Sequence, residues 1–168
     1  PSSYVIKRNE FQIDTTDVVL RTEVMDKLGE DKEKYLVVTW TDALLEKVID
    51  KDALEKNTTK LKKGEEHDLA FLTELLFSYG FERVDFVFEP GQFSLRGGIL
   101  DVFSFSYDSP IRIDFFGDKI ESIRFFKVDT QLSDKNVEEV SIVPNIQSKD
   151  MGTKISFFNF LSDDSILW

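Results

Sequence analysis

Residues 87–124 read VFEPGQFSLRGGILDVFSFSYDSPIRIDFFGDKIESIR, and the turn signals in this stretch decide the fold. Pro90-Gly91, Gly97-Gly98 and Gly117-Asp118 separate short runs rich in Phe, Ile, Leu and Val. Apolar runs bounded by Gly, Pro and Asp are strands joined by tight turns. We read a small antiparallel meander with strands over residues 83–89, 92–96, 99–105, 111–116 and 119–128. Side chains alternate between the two faces of a strand. Phe93 and Leu95 therefore share one face, with Gln92, Ser94 and Arg96 on the other. Ile111, Ile113 and Phe115 likewise oppose Arg112, Asp114 and Phe116. Phe116 breaks the alternation, as a large aromatic on the face that carries an arginine. Two roles fit it: filling a second apolar layer, or standing exposed beside arginines as protein–protein hot spots do.

Upstream of the meander, residues 69–79 carry Leu69, Leu72, Leu75, Leu76 and Tyr79 at helical spacing, between an acidic opening turn and Gly80. An amphipathic helix that covers the sheet is expected. Residues 18–28 and 43–49 also read as helices. Between them YLVVTW (residues 35–40) reads as a buried strand, and helix, buried strand and capped helix together suggest an α/β layer. Residues 51–63 are polar and basic and read as a crossing between domains. Residues 138–144 read as a strand leaving the module, 147–153 as a loop, and 155–168 as a Phe-rich helix or strand. The fold class expected is α+β: a small antiparallel sheet with a covering helix, attached to part of an α/β domain.

The chain has 168 residues, 41% of them hydrophobic, enough for a sizeable core. A formal net charge of -11 is a poor basis for gripping a phosphate backbone. With no cysteine there are no disulfides or thiolate metal sites. No apolar run approaches the length of a membrane span, so no membrane partner is expected. No signal-peptide pattern opens the chain, and a cytoplasmic location is expected. The start at Pro1 and the apolar end Ile166-Leu167-Trp168 suggest a piece of a longer protein.

Several clusters are candidates for chemistry. His67 beside Glu65, Glu66 and Asp68 is a candidate metal set, although one His among acids at a helix start is the composition of a solvated N-terminus. No metal is expected. Asp101, Asp114, Asp118 and Glu121 offer carboxylates for acid–base work, against the simpler role of pairing with Arg96, Arg112 or Arg124 across the sheet. No nucleophile or histidine partner accompanies them, and no catalytic residue is assigned. Gly97-Gly98 is a weak phosphate-nest signal, and a tight connection explains it as well. No G-x-x-x-x-G-K-[ST] occurs, so no nucleotide cofactor is expected. Arginines interleaved with aromatics suit single-stranded nucleic acid, but in an acidic chain they suggest a local patch for an acidic partner surface.

The strings EPGQFSLRGGILDVFSF and PIRIDFFGDKIESIRFF, followed by TQLS at residues 130–133, resemble the N-terminal region of bacterial transcription-repair coupling factors, the Mfd family. The excinuclease subunit UvrB shows the same pattern more loosely. The resemblance is strongest over residues 64–144. It implies a UvrA-binding module over residues 58–144. Residues 1–57 and 145–168 would then be parts of a degenerate, helicase-like UvrB-like domain without its ATP site. The family's UvrA-contacting residues fall on Arg96, before the glycine pair, and on Arg112 and Phe116 of PIRIDFF. Relatives vary at the position of Gly98, which implies no special demand there. The implied role is a non-catalytic, monomeric adaptor that recruits UvrA to stalled transcription complexes. RNA polymerase and DNA would be bound by other domains of a translocase. The alternatives are a DNA-binding fragment of UvrB and a small hydrolase using the strand carboxylates.

Overall fold

The computed structural model describes residues 4–7, 10–13, 15–29, 35–145, 154–161 and 165. The loop expected over 147–153 and most of the tail beyond Leu161 lie outside them. The chain forms two compact units, Pro1–Asn57 with Ile146–Trp168, and Thr58–Asn145. In chain order the first unit holds β1 (Tyr4–Lys7), β2 (Glu10–Ile13), α1 (Thr15–Gly29), α2 (Thr41–Leu45), β3 (Lys47–Ile49) and α3 (Lys51–Lys56). The second unit holds β4 (Thr59–Lys62), α4 (Leu69–Ser78), β5 (Glu82–Arg83), β6 (Gln92–Arg96), β7 (Ile99–Val102), β8 (Ile111–Phe116), β9 (Lys119–Phe126), β10 (Ser133–Val137) and β11 (Glu139–Ile142). The last elements, β12 (Lys154–Ser156) and α5 (Phe157–Phe160), belong to the first unit.

In the first unit β3 pairs antiparallel with β12, and Val48, Ile49 and Phe157 are buried. Arg21 of α1 is also buried, donating to the Ala43 carbonyl at 3.0 Å and pairing with Glu46 at 3.4 Å. The expected buried strand over 35–40 is absent: this run has no ladder, and Leu36 and Val38 are exposed. β-branched residues make a strand only where a neighbour takes up the backbone hydrogen bonds. Among the described residues no strand does so here. The helix expected over 43–49 stops at Leu45, because Lys47–Ile49 are drawn into pairing with β12. The segment 51–63 does carry the boundary between the two units, at Asn57 and Thr58, and it is structured on both sides. Leu54 of α3 and Leu61 of β4 are both buried, and β4 pairs with β11.

The second unit is built on a sheet in the order β10-β9-β8-β7-β6-β5. All its pairs are antiparallel except β5 with β6, which is parallel. The register sets Phe93, Leu100, Val102, Ile111, Ile113 and Ile123 on one face, all buried. Helix α4 covers this face. Leu72 and Leu76 are buried, and Phe77 stands edge-on to Phe93 with ring centres 5.2 Å apart. The helix begins where the Asp68 carboxylate accepts from the Ala70 and Phe71 amides at 2.7 and 3.4 Å. It ends where the Phe81 amide donates back to the Leu76 carbonyl at 3.0 Å. An N-cap aspartate satisfies amides the helix cannot. Asp68→Ala is therefore expected to cost about 1 kcal/mol of stability, read by denaturant unfolding.

Strand β7 is shorter than the expected 99–105. Beyond Phe103, whose amide still donates to the Gln92 carbonyl at 2.9 Å, the chain turns from the sheet to β11, as the Phe105 amide donates to the Val143 carbonyl at 3.1 Å and Ser106 Oγ to the Ser141 carbonyl at 2.9 Å. The expected strand 83–89 shrinks to Glu82–Arg83. The Gln92 side-chain carbonyl accepts from the Phe88 and Glu89 amides at 2.9 and 3.1 Å. These bonds replace a ladder and turn the chain across the sheet.

The glycine pair closes the β6–β7 hairpin, in which Arg96 faces Ile99. Gly97 has φ +60°, the conformation a two-residue hairpin needs at its first loop position. At Gly98 a Cβ would sit 2.7 Å from the Phe115 carbonyl oxygen, and the Phe115 amide donates to the Gly98 carbonyl at 2.7 Å. The structure thus places a backbone demand on Gly98, contrary to the expectation from varying relatives. Gly98→Ala must push two strands apart and is expected to cost about 1–3 kcal/mol. Thermal unfolding of that variant is the check.

Candidate partner-binding face

The second face of the sheet carries the charged residues. Cross-strand register lines up Ser94, Asp101, Arg112 and Arg124 in one row, and Arg96, Ile99, Asp114 and Ser122 in the next. Asp101 is completely buried. Its carboxylate accepts from Arg96 Nη2 at 2.6 Å and from Arg112 Nε and Nη2 at 2.7 and 2.8 Å. The fork of Arg112 onto both carboxylate oxygens is the strongest form of such a bond. Arg112 Nη1 also donates to the Gln131 carbonyl at 3.2 Å, and its guanidinium lies 4.5 Å from the centre of the Phe126 ring. The hydrogen bonds to Asp101 raise the Arg112 pKa above its ordinary value, against a smaller opposing effect of burial. In the next row Asp114 pairs with Arg124 at 2.6 Å and accepts from Ser122 Oγ at 2.6 Å.

These contacts give the carboxylates their role. Asp101 has no exposed surface and both its oxygens are engaged by guanidinium groups, so it cannot reach a substrate. Asp114 is held by Arg124 and Ser122. His67 makes a 3.3 Å contact with Glu65, and its amide ties the turn to the Asp118 carbonyl at 2.7 Å. Among the described residues no group of His, Asp and Glu is arranged to hold a metal ion. No helix among them is long and apolar enough to cross a membrane.

One end of this face is covered. The segment after β5 crosses it, and Val87 packs with Phe103 and Phe126, flanked by Val84 and Val128. The other end is open. Arg96 keeps 39% of its side chain exposed, Arg112 only 16%. Phe116 is 77% exposed. Phe116 lies on the same face as Arg112 and Asp114, at the end of β8 next to the glycine hairpin. The structure therefore brings Arg96 and Arg112 together on one carboxylate, with Phe116 at the open end of their face. Phe116 belongs to no second apolar layer. Phe86 and Ile99 join this open end without a sequence signal. Ile99 faces Arg96 across the hairpin, and the Arg96 guanidinium lies 5.2 Å from the centre of the Phe86 ring. Phe86 sits in a segment whose alternation mimics a strand, which hides where its ring goes.

Comparison with known proteins agrees with this architecture. The family model described as the UvrB interaction domain matches residues 59–147, which covers the sheet, its helix and the β4–β11 ribbon. The transcription-repair-coupling factor of Myxococcus xanthus is 33% identical over 144 residues, 86% of this chain and 12% of the relative. That of Escherichia coli K12 is 32% identical over 112 residues, 67% of this chain and 10% of the relative. A Staphylococcus aureus homologue reaches 48% identity over 82 residues, 49% of this chain and 7% of its own length. The chain thus spans about a tenth of the relatives it matches. On this evidence the chain belongs to the UvrB interaction domain family, and within that family it resembles the transcription-repair-coupling factors.

Proposed function

We propose that this chain is a non-catalytic adaptor that binds the repair ATPase UvrA through Arg96, Arg112 and Phe116. The observation that carries this reading is the open end of the charged face. A largely exposed phenylalanine stands there on the face of an arginine cluster, within a chain whose net charge is -11. Arg96, Arg112 and Arg124 gather on this face around Asp101 and Asp114. Charge of opposite sign to the rest of the surface selects an acidic partner and disfavours wrong ones. An aromatic beside arginine is the composition of an interface anchor.

In the longer protein this module would recruit UvrA to stalled transcription complexes, with RNA polymerase and DNA bound elsewhere by a translocase. Residues 1–57 and 145–168 would form part of a UvrB-like domain without an ATP site. Calorimetric titration tests the adaptor role. Saturable binding of UvrA is expected, with no measurable association with duplex DNA at moderate salt. DNA association with a steep salt slope, in the absence of UvrA binding, would overturn it in favour of a DNA-binding fragment.

A further inference from the structure

The open end of the face offers more apolar surface than Phe116 alone. Phe86 is 53% exposed, although the segment that carries it is pinned to the sheet. The Asp85 carbonyl accepts from Ser94 Oγ at 2.9 Å and from Arg96 Nη1 at 2.7 Å. The neighbouring Val87 is fully buried. The Phe86 ring is thus held outward by its neighbours, with the Arg96 guanidinium against it. Arg96 in turn is fixed by Asp101 at 2.6 Å. Ile99, 36% exposed, stands opposite Arg96 in the hairpin. Phe86, Arg96 and Ile99 therefore form a run that continues on the same face toward Phe116. A single exposed phenylalanine is unremarkable on a protein surface. A ring carried between two pinned residues, with an interface arginine against it, is different, because less freedom is lost when a partner covers it.

We propose that Phe86 is a second aromatic anchor of the docking surface, paired with Arg96 as Phe116 is with the far end of the same patch. The inference rests on the reading of this patch as the UvrA site and adds to it the chemistry of the partner. The complementary surface would be an apolar depression that accepts two rings, with carboxylates placed to meet the intervening guanidinium. Arginine suits that position because its flat face stacks on a ring while its edge still donates to carboxylates.

The test is UvrA affinity, measured by calorimetry for Phe86→Ala and Phe86→Glu, with Arg96→Ala and Phe116→Ala as references and thermal unfolding of each variant alongside. Phe86→Ala is expected to bind about tenfold more weakly. Phe86→Glu should bind more weakly still, since it sets a carboxylate against an acidic partner. Both should unfold at the wild-type temperature. Wild-type affinity in both Phe86 variants, with weakened binding in Arg96→Ala or Phe116→Ala, would overturn the second anchor and leave the patch intact. Wild-type affinity in all four would overturn the patch as well. Loss of the folding transition in either Phe86 variant would also count against an anchor role, because an exposed anchor contributes little to folding.

Discussion

Asp101→Ala is expected to destabilise the second unit by about 3–5 kcal/mol, the cost of removing one partner from a buried ion pair. The carboxylate is wholly buried and accepts three guanidinium hydrogen bonds, two from Arg112 and one from Arg96. Without it, Arg112 keeps the Gln131 carbonyl, the face of Phe126 and the weaker attraction of Asp114, but loses its directly bonded carboxylate, and Arg124 is its neighbour in the same row. A largely buried cation beside a like charge is what makes the loss large. Chemical unfolding of the variant measures it. A loss below about 0.5 kcal/mol, the scale of an ordinary surface change, would mean that the arginines hold themselves in place. Apolar replacement of both Asp101 and Arg112 should recover much of the loss, because the one guanidinium then left without Asp101 is the part-exposed Arg96, which water can solvate. Asp101 touches no partner, yet its removal also frees Arg96, so UvrA binding should weaken in the same variant.

The hairpins of the second unit were legible because each signal there is local. Gly97-Gly98 and Gly117-Asp118 mark loops that lie between paired residues, Arg96 with Ile99 and Phe116 with Lys119. The stripe on residues 69–79 located α4 for the same reason. Elsewhere the deciding contact lies outside the segment. The alternating VDFVFE at 84–89 reads as a strand, but the Gln92 side chain takes up its amides and Pro90 offers no N–H. Strand β10 reads SDKNV, with no apolar alternation. It is an edge strand held by its backbone to β9, and a lysine suits such an edge. The run at 35–40 has strand composition but no pairing neighbour among the described residues. Within the candidate site, parity alone put Arg112 and Phe116 on one face. That Asp101 would join Arg96 to Arg112 depended on register across β6, β7 and β8, and Phe86 arrived from outside the sheet.

The second large effect concerns binding. Phe116→Ala is expected to weaken UvrA affinity by about 2 kcal/mol or more, roughly thirtyfold, if the ring is the central apolar anchor of the patch. Its exposure makes the mutation clean. No described ring packs against it, and it stands at the end of β8 with its backbone paired to Lys119. Folding stability should therefore stay within about 0.5 kcal/mol of wild type. The most direct measurement is calorimetric UvrA affinity of Phe116→Ala, paired with thermal unfolding of the same sample. Weakening of about thirtyfold with an unchanged unfolding temperature is the predicted result; wild-type affinity from a folded Phe116→Ala protein would contradict the assignment of this face as the UvrA site.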